Sequence, residues 1–271
     1  MTTWIVRIVL TLVLAGFSCS PQARSSPGEV LLDFSGPAGS APNPAHWNYE
    51  TGNATAIGYD DGVEDYVTAG AFLDGQNHLV IQAVDTGNGY TSGRINTKNK
   101  VSFGYGTISA RIKMPSGQGL WPAFWLVGAD EDTTPWPQCG EIDIVELVSN
   151  ATTYYSTIHG PITGQGNSVE GTQQGQFSGP IADLSSDYHN YWVTRIPDSI
   201  TVGIDTKTLG TFTPQSLPPG AQWVYNRPMY ALLALAVGGS WAGPPRTGRA
   251  WTSSPPRNGP WRWSRGPSAR C

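Results

Sequence analysis

The sequence predicts an all-β protein, a sandwich of short strands in one domain. Composition is the first sign. The 271 residues include 33 Gly, 22 Pro, 11 Trp and 11 Tyr, and only 13% are charged. That is the profile of a turn-rich, aromatic-rich extracellular β protein. Periodicity is the second sign. Short apolar or alternating runs recur between Gly, Pro, Asn and Asp turn signals, and no stretch keeps a helical period. Length is the third: a chain of this size suits one large β domain or two small ones, and no internal repeat is present.

Residues 1–18 read as an export signal. Arg7 is the one charge before a short apolar run at 8–17, which is too short for a membrane span. Gly16 and Ser18 permit cleavage before Cys19, and Ala23 offers a later site, so a secreted product is expected. A lipid anchor through Cys19 is the second reading, and Gly16-Phe17-Ser18 fits it poorly. Residues 19–29 form a Ser/Pro-rich linker to a domain at 30–245.

Residues 31–34 are expected as a short strand and 36–44 as loop. Trp47-Asn48-Tyr49 opens a polar, aromatic segment, and its acidic run from Asp60 to Asp65 reads as loop. Strands follow at 71–73 and 78–83 around the turn signal Asp74-Gly75, and at 90–97 after Gly87-Asn88-Gly89. Residues 106–114 alternate cleanly, with Ile108, Ala110, Ile112 and Met114 on one face and Thr107, Ser109, Arg111 and Lys113 on the other. Further strands are expected at 141–146, 152–159, 188–195, 199–205 and 210–213, with a Gly/Gln/Ser-rich loop at 162–179. Residues 230–237 form a continuous apolar run, as in a strand buried on both faces.

The net charge of −4 is unevenly spread. Residues 246–271 hold six Arg and no acid or Lys, leaving ten basic against twenty acidic groups in residues 1–245, a net of −10. An acidic body argues against nucleic acid or an anionic membrane as partner and is compatible with a neutral polymer. Cys19, Cys139 and Cys271 define no disulfide framework. Cys139 reads as a small buried residue, because carboxylates beside it disfavour the thiolate.

Chemistry concentrates in Gly140-Glu141-Ile142-Asp143-Ile144-Val145-Glu146. β-Branched residues between the acids favour a strand, and alternation puts Glu141 and Asp143 on one face and Ile142 and Ile144 on the other. Glu146 is out of step. A one-residue bulge near Ile144-Val145 would bring it to the acid face, and bulges are common beside active sites. Paired carboxylates suit glycoside hydrolysis, one ionised and one protonated, and crowding raises the pKa of one member. From the acids alone, a solvated acidic face and a carboxylate metal site remain open.

Trp121-Pro122-Ala123-Phe124-Trp125, then Trp136-Pro137-Gln138-Cys139-Gly140 running into the acid strand, then Thr157-Ile158-His159-Gly160-Pro161, resemble glycoside hydrolase family 16. The resemblance is closest to its laminarinase-like endo-β-1,3-glucanases. It runs from about Leu31 to Pro245 and is supported by Trp47-Asn48-Tyr49, Tyr90-Thr91-Ser92-Gly93-Arg94 and Leu235-Ala236-Val237-Gly238-Gly239-Ser240-Trp241. It implies a β-jelly roll of the concanavalin A-like lectin/glucanase type, with a long cleft on a concave sheet. Glu141 would then be the nucleophile, Asp143 its assistant and Glu146 the acid/base of a retaining double displacement. That chemistry needs the working carboxyls about 5–5.5 Å apart. The bulged Glu-x-Asp-x-x-Glu form is the laminarinase-like one, shared with agar- and carrageenan-cleaving relatives. Trp121, Trp125 and Trp136 would be sugar platforms beside the scissile bond, with Trp241 further along, since flat aromatic rings suit the apolar faces of sugars. Asn48 and Arg94 would hydrogen-bond donor-side hydroxyls, and His159 would lie near the leaving group.

The resemblance implies a β-glucan substrate, a monomer and no required cofactor. Other readings are a non-catalytic β-glucan-binding protein on the same fold, a related agarase or carrageenase, and a transglycosylase. The sequence departs from the family at Gly58-Tyr59-Asp60-Asp61-Gly62-Val63-Glu64 and at Ala234, where the family usually has Asn. The C-terminus departs most. The family closes with an alternating strand whose Asp helps hold a structural calcium, whereas residues 246–271 contain no Val, Ile, Leu, Phe, Tyr or Met and cannot form that strand. We read this break as a reading-frame shift near Pro245, against the alternative of a genuine basic tail. Translating the gene in its other two frames beyond codon 245 is expected to give an alternating apolar strand; two frames without one overturn the idea.

Overall fold

The computed structural model describes residues 3–9, 32–57 and 61–246. The linker at 19–29, Cys19, Cys271, residues 58–60, the tail beyond Arg246 and all of the expected export signal except 3–9 lie outside the described residues. In chain order the strands are β1 (Thr3–Val9), β2 (Asn48–Tyr49), β3 (Gly52–Asn53), β4 (Glu64–Tyr66), β5 (Ala71–Leu73) and β6 (Leu79–Asp85). Next come β7 (Tyr90–Ser92), β8 (Arg94–Asn96), β9 (Gly106–Lys113), β10 (Leu120–Gly128), β11 (Glu141–Glu146) and β12 (Thr153–His159). The series ends with β13 (Gln173–Pro180), β14 (His189–Ile196), β15 (Ser199–Ile204), β16 (Lys207–Phe212) and β17 (Met229–Val237). Helix among the described residues is confined to short pieces such as Val169–Thr172 and Gly239–Ala242. None is long and apolar enough to cross a membrane.

The strands form two sheets, as the all-β reading requires. One runs β16-β15-β14-β9-β1-β6-β7-β4-β3, with β5 also on β6. The other runs β13-β12-β11-β10-β17-β8-β2. Neighbours pair antiparallel except β4 with β7. The architecture is a β-jelly roll. Its core is the shared inner face. Leu79, Ile81, Ile108, Ile112 and Val193 from the first sheet join Phe124, Ile142, Ile158 and Leu233 from the second in one buried cluster. β9 shows the expected alternation, with Ile108, Ala110 and Ile112 buried and Arg111 exposed. All of β17 is buried: β10 and β8 flank it, Leu233 and Leu235 face the core, and Leu232 and Ala234 lie in the floor of the outer-face cleft.

Four segments differ from the sequence reading. The single strand expected at 90–97 is two, β7 and β8, which lie in different sheets on either side of Gly93. Residues 32–34 make no strand; Leu32 and Phe34 are buried through side-chain packing instead, Phe34 lying 5.7 Å from the Trp47 ring. The acidic run holds β4, because Glu64 is buried and accepts the Val237 backbone N–H at 3.0 Å. Part of the expected loop at 162–179 is β13, which pairs with β12 along its whole length. Its Gly and Gln residues hid that strand: at Gly175 a β-carbon would press on the Phe212 ring at 3.0 Å, so composition there follows close packing.

Arg195 locks the turns at one end of the sandwich. Its buried guanidinium donates to the carbonyls of Phe103 (3.1 Å), Gly104 (3.0 Å), Tyr225 (2.5 Å) and Arg227 (2.6 Å). Burial draws its pKa down to about 10, and the four carbonyls keep the charge solvated. Arg195→Met is expected to destabilise the fold by about 3 kcal/mol or more, because those buried acceptors lose their donor. Urea unfolding measures this, and a change below about 1 kcal/mol would contradict the clamp.

Candidate active site

The bulge expected in the acid strand is present. β11 pairs Val145 with Phe124 and Asp143 with Trp125 on β10, leaving Ile144 as the extra residue. On the other side Asp143 faces Thr157 and Glu146 faces Tyr155, so two residues oppose Ser156 alone. The Ser156 hydroxyl donates to the Asp143 carbonyl at 2.8 Å, giving that bulge carbonyl a partner. Ile142, Ile144 and Val145 all enter the core, and Glu141, Asp143 and Glu146 all face outward into one cleft. Gly140 precedes the strand at φ 78°, where a β-carbon would also meet Val224 at 2.9 Å; only glycine fits there without strain.

The cleft, of about 740 Å³, lies on the outer face of the seven-stranded sheet. Alternation builds its floor. Trp121, Ala123, Trp125 and Val127 face it from β10 while Leu120, Phe124 and Leu126 face the core. Arg94 on β8, Leu232 on β17, Thr157 on β12 and Gln176 on β13 also line it. The lining therefore crosses six adjacent strands, roughly 24 Å at the usual strand spacing.

Two indoles hold the outer acids. Trp136 Nε1–H donates to Glu141 Oε2 at 2.6 Å, and Trp121 Nε1–H donates to Glu146 Oε1 at 2.9 Å. Burial pushes the Glu146 carboxyl up to about 8, against the opposing Trp121 hydrogen bond and with help from the Glu141 charge. Burial also raises Asp143 well above the usual carboxylate range, reinforced by Glu141 and Glu146 and by a hydrogen bond to Glu141. His159 moves the other way: burial lowers its pKa, with the Glu141 charge and a Val169 hydrogen bond opposing.

The network assigns protons. Thr172 Oγ1 donates to the Val169 carbonyl at 2.9 Å, so toward His159 Nδ1, 3.1 Å away, it acts as acceptor. With Nδ1 as donor to Thr172, Nε2 of the neutral ring faces Asp143 Oδ2 at 3.5 Å. A protonated Asp143 has a single hydrogen to donate, and its hydrogen bond to Glu141 uses it.

The other sequence-predicted residues divide. Trp125 and Trp136 are nearly buried yet line the cleft. Trp241 is exposed and stands edge-on to Trp121 (4.9 Å) and Tyr155 (5.0 Å). Arg94 lies 5.0 Å over the Trp125 ring and is ion-paired with Glu50. Asn48 is not among the cleft-lining residues; its amide donates to Asn96 Oδ1 (2.9 Å) and the Lys98 carbonyl (2.8 Å). Sequence reasoning missed Glu50 and Tyr155. Alternation back from His159 would have found Tyr155, whereas Glu50 carried no local signal. Cys139 is buried and its thiol is pushed up to about 12, chiefly by burial. Among the described residues no group of three or more His, Cys, Asp or Glu side chains is placed to hold a metal ion.

A β-sandwich whose outer face carries buried carboxyls between indole walls, with one carboxyl holding its proton near neutrality, defines a glycoside hydrolase. Comparison with known proteins narrows this class. The sequence model of Glycosyl hydrolases family 16 matches residues 60–253, and the chain belongs to that family. It is similar to the beta-glucanase of Rhodothermus marinus, 32% identical over 226 residues that cover 78% of this chain and 75% of that one. It is also similar to glucan endo-1,3-beta-glucosidase A1 of Niallia circulans, 35% identical over 161 residues, but there it spans 57% of its own length and 23% of the relative's. Among solved structures, the endo-beta-1,3-glucanase of Pyrococcus furiosus superimposes with a TM-score of 0.68 at 33% identity, covering 77% of this chain and 84% of that one.

The raised Glu146 value links the site to stability. The folded state holds this proton more tightly than the unfolded chain, whose value is near 4.5. This contribution is therefore complete below pH 4.5 and is lost as pH rises toward about 8. Glu146→Gln is expected to remove a downward slope on the order of 1 kcal/mol per pH unit across that window. Chemical denaturation of both proteins at several pH values measures it; parallel curves would show that Glu146 titrates normally.

Proposed function

We propose that this enzyme is an endo-acting β-1,3-glucanase that hydrolyses with retention. The supporting observation is the bulge, which gathers Glu141, Asp143 and Glu146 on one face with Glu146 raised to about 8. In the first step Glu146 gives its proton to the leaving glycosidic oxygen as a Glu141 oxygen bonds to the anomeric carbon and the C–O bond breaks. In the second, ionised Glu146 takes a proton from water, and the water oxygen displaces Glu141. One water is consumed and two inversions leave the configuration unchanged. Trp136 orients Glu141 through Oε2, and Asp143, raised by burial, hydrogen-bonds Glu141.

The substrate follows from the cleft. Its length across six strands suits an internal stretch of polymer, and Trp121, Trp125 and Trp241 offer flat faces for sugar rings. The names of the Niallia circulans and Pyrococcus furiosus proteins and the bulged motif point to β-1,3-glucan.

Glu141→Gln is expected to lower reducing-sugar release from laminarin by about 10³-fold or more; equal release would remove Glu141 from the nucleophile role. Proton NMR of the first products should show the β-anomer. The basic limb of kcat/KM is expected near pH 8, where Glu146 of the free enzyme loses its proton. Trp121→Phe should move that limb upward, because the indole hydrogen bond favours the ionised form. Lichenan, agarose and κ-carrageenan in parallel assays test the substrate, and product sizing separates hydrolysis from transglycosylation.

A further inference from the structure

β1 occupies an unusual place: it comes first in the chain yet lies inside the larger sheet, between β6 and β9. It is antiparallel to both. Its register on β6 runs from Thr3↔Val84 to Ile8↔Leu79, and on β9 it pairs Arg7, Ile8 and Val9 with Lys113, Ile112 and Arg111. β6 and β9 therefore run parallel to each other with one strand between them. At normal spacing they stand about 10 Å apart, too far to bond directly.

The slot is costly to leave open. The outer edge of β6 is already taken by β5 and β7, and that of β9 by β14. Without β1, backbone N–H and C=O groups of both strands would lack partners mid-sheet. A breach would also lie beside Leu79, Ile81 and Ala83 on one side and Ile108, Ala110 and Ile112 on the other, all core residues. It would divide the sheet into β16-β15-β14-β9 and β6-β7-β4-β3 with β5.

The filling segment is Thr-Trp-Ile-Val-Arg-Ile-Val, with five β-branched residues in seven, a strong strand composition. Residues 246–271 have no β-branched residue except Thr247 and Thr252 and cannot substitute for it. The same Thr3–Val9 falls within the stretch that reads as an export signal, so cleavage before Cys19 would remove it.

We propose that the gap between β6 and β9 is a strand-accepting site filled in cis by Thr3–Val9, making this segment a strand of the enzyme for as long as it stays uncleaved. The site takes one short antiparallel β-branched peptide strand.

Amide hydrogen exchange on the full-length chain tests the proposal directly. Residues 4–8 are expected to exchange at least about 100-fold more slowly than in the free peptide. Exchange at free-peptide rates, with β6 and β9 still protected, overturns it. Ile8→Pro probes the slot by a second route, since the Ile8 backbone is paired with Leu79 on one side and Ile112 on the other. Whichever neighbour its N–H serves, proline removes that bond. Ile8→Pro and a chain beginning at Cys19 should both lower Tm by about 5 °C or more. A synthetic peptide of residues 2–10 should restore the shortened chain, and a scrambled peptide should not. A shortened chain with unchanged Tm and no peptide binding overturns the proposal. If the shortened chain does not fold, the exchange pattern of the full-length chain decides between the two outcomes.

Discussion

One extra residue in one strand governs the active site. A strand can present every second side chain to a face and no others. Three acids at positions 141, 143 and 146 break that rule, and the backbone accommodates them by setting Ile144 and Val145 against Ser156 alone. Both apolar side chains then go into the core and the third acid comes out. Removing the insertion would turn Glu146 inward and leave a buried charge among aliphatic side chains. Core and chemistry are therefore satisfied by the same local distortion.

The carboxyls that result are crowded and poorly hydrated, which drives proton retention. Asp143 and Glu146 are both raised mainly by burial, with Glu141 adding to each. The surroundings still treat them differently. Glu146 has an indole N–H that favours its charged form. Asp143 hydrogen-bonds Glu141, which favours its neutral form, and His159 Nε2 lies 3.5 Å away. The hydrogen-bond partners around each carboxyl thus set the two acids apart chemically.

The regular strands were legible in the sequence. The alternating and continuous apolar runs that became β9 and β17, and the misfit at Glu146, follow from pleat geometry alone. What the sequence hid was set by distant partners. β13 looks like loop because glycine at 175 yields space to Phe212. Glu64 sits in an acidic run that reads as solvated, yet it is buried by a hydrogen bond to Val237, far along the chain. Asn48 has a polar side chain near the cleft, but Asn96 and Lys98 take up its amide. None of these pairings leaves a periodic trace.

Trp121 joins two properties that would otherwise vary separately. Its N–H sets the proton affinity of Glu146, while its ring edge supports Trp241 and, through it, Tyr155. A substitution there alters the shape of one end of the cleft and the proton affinity of Glu146 together. Divergence toward a new polysaccharide at that end therefore carries an acidity change with it, unless a second position compensates.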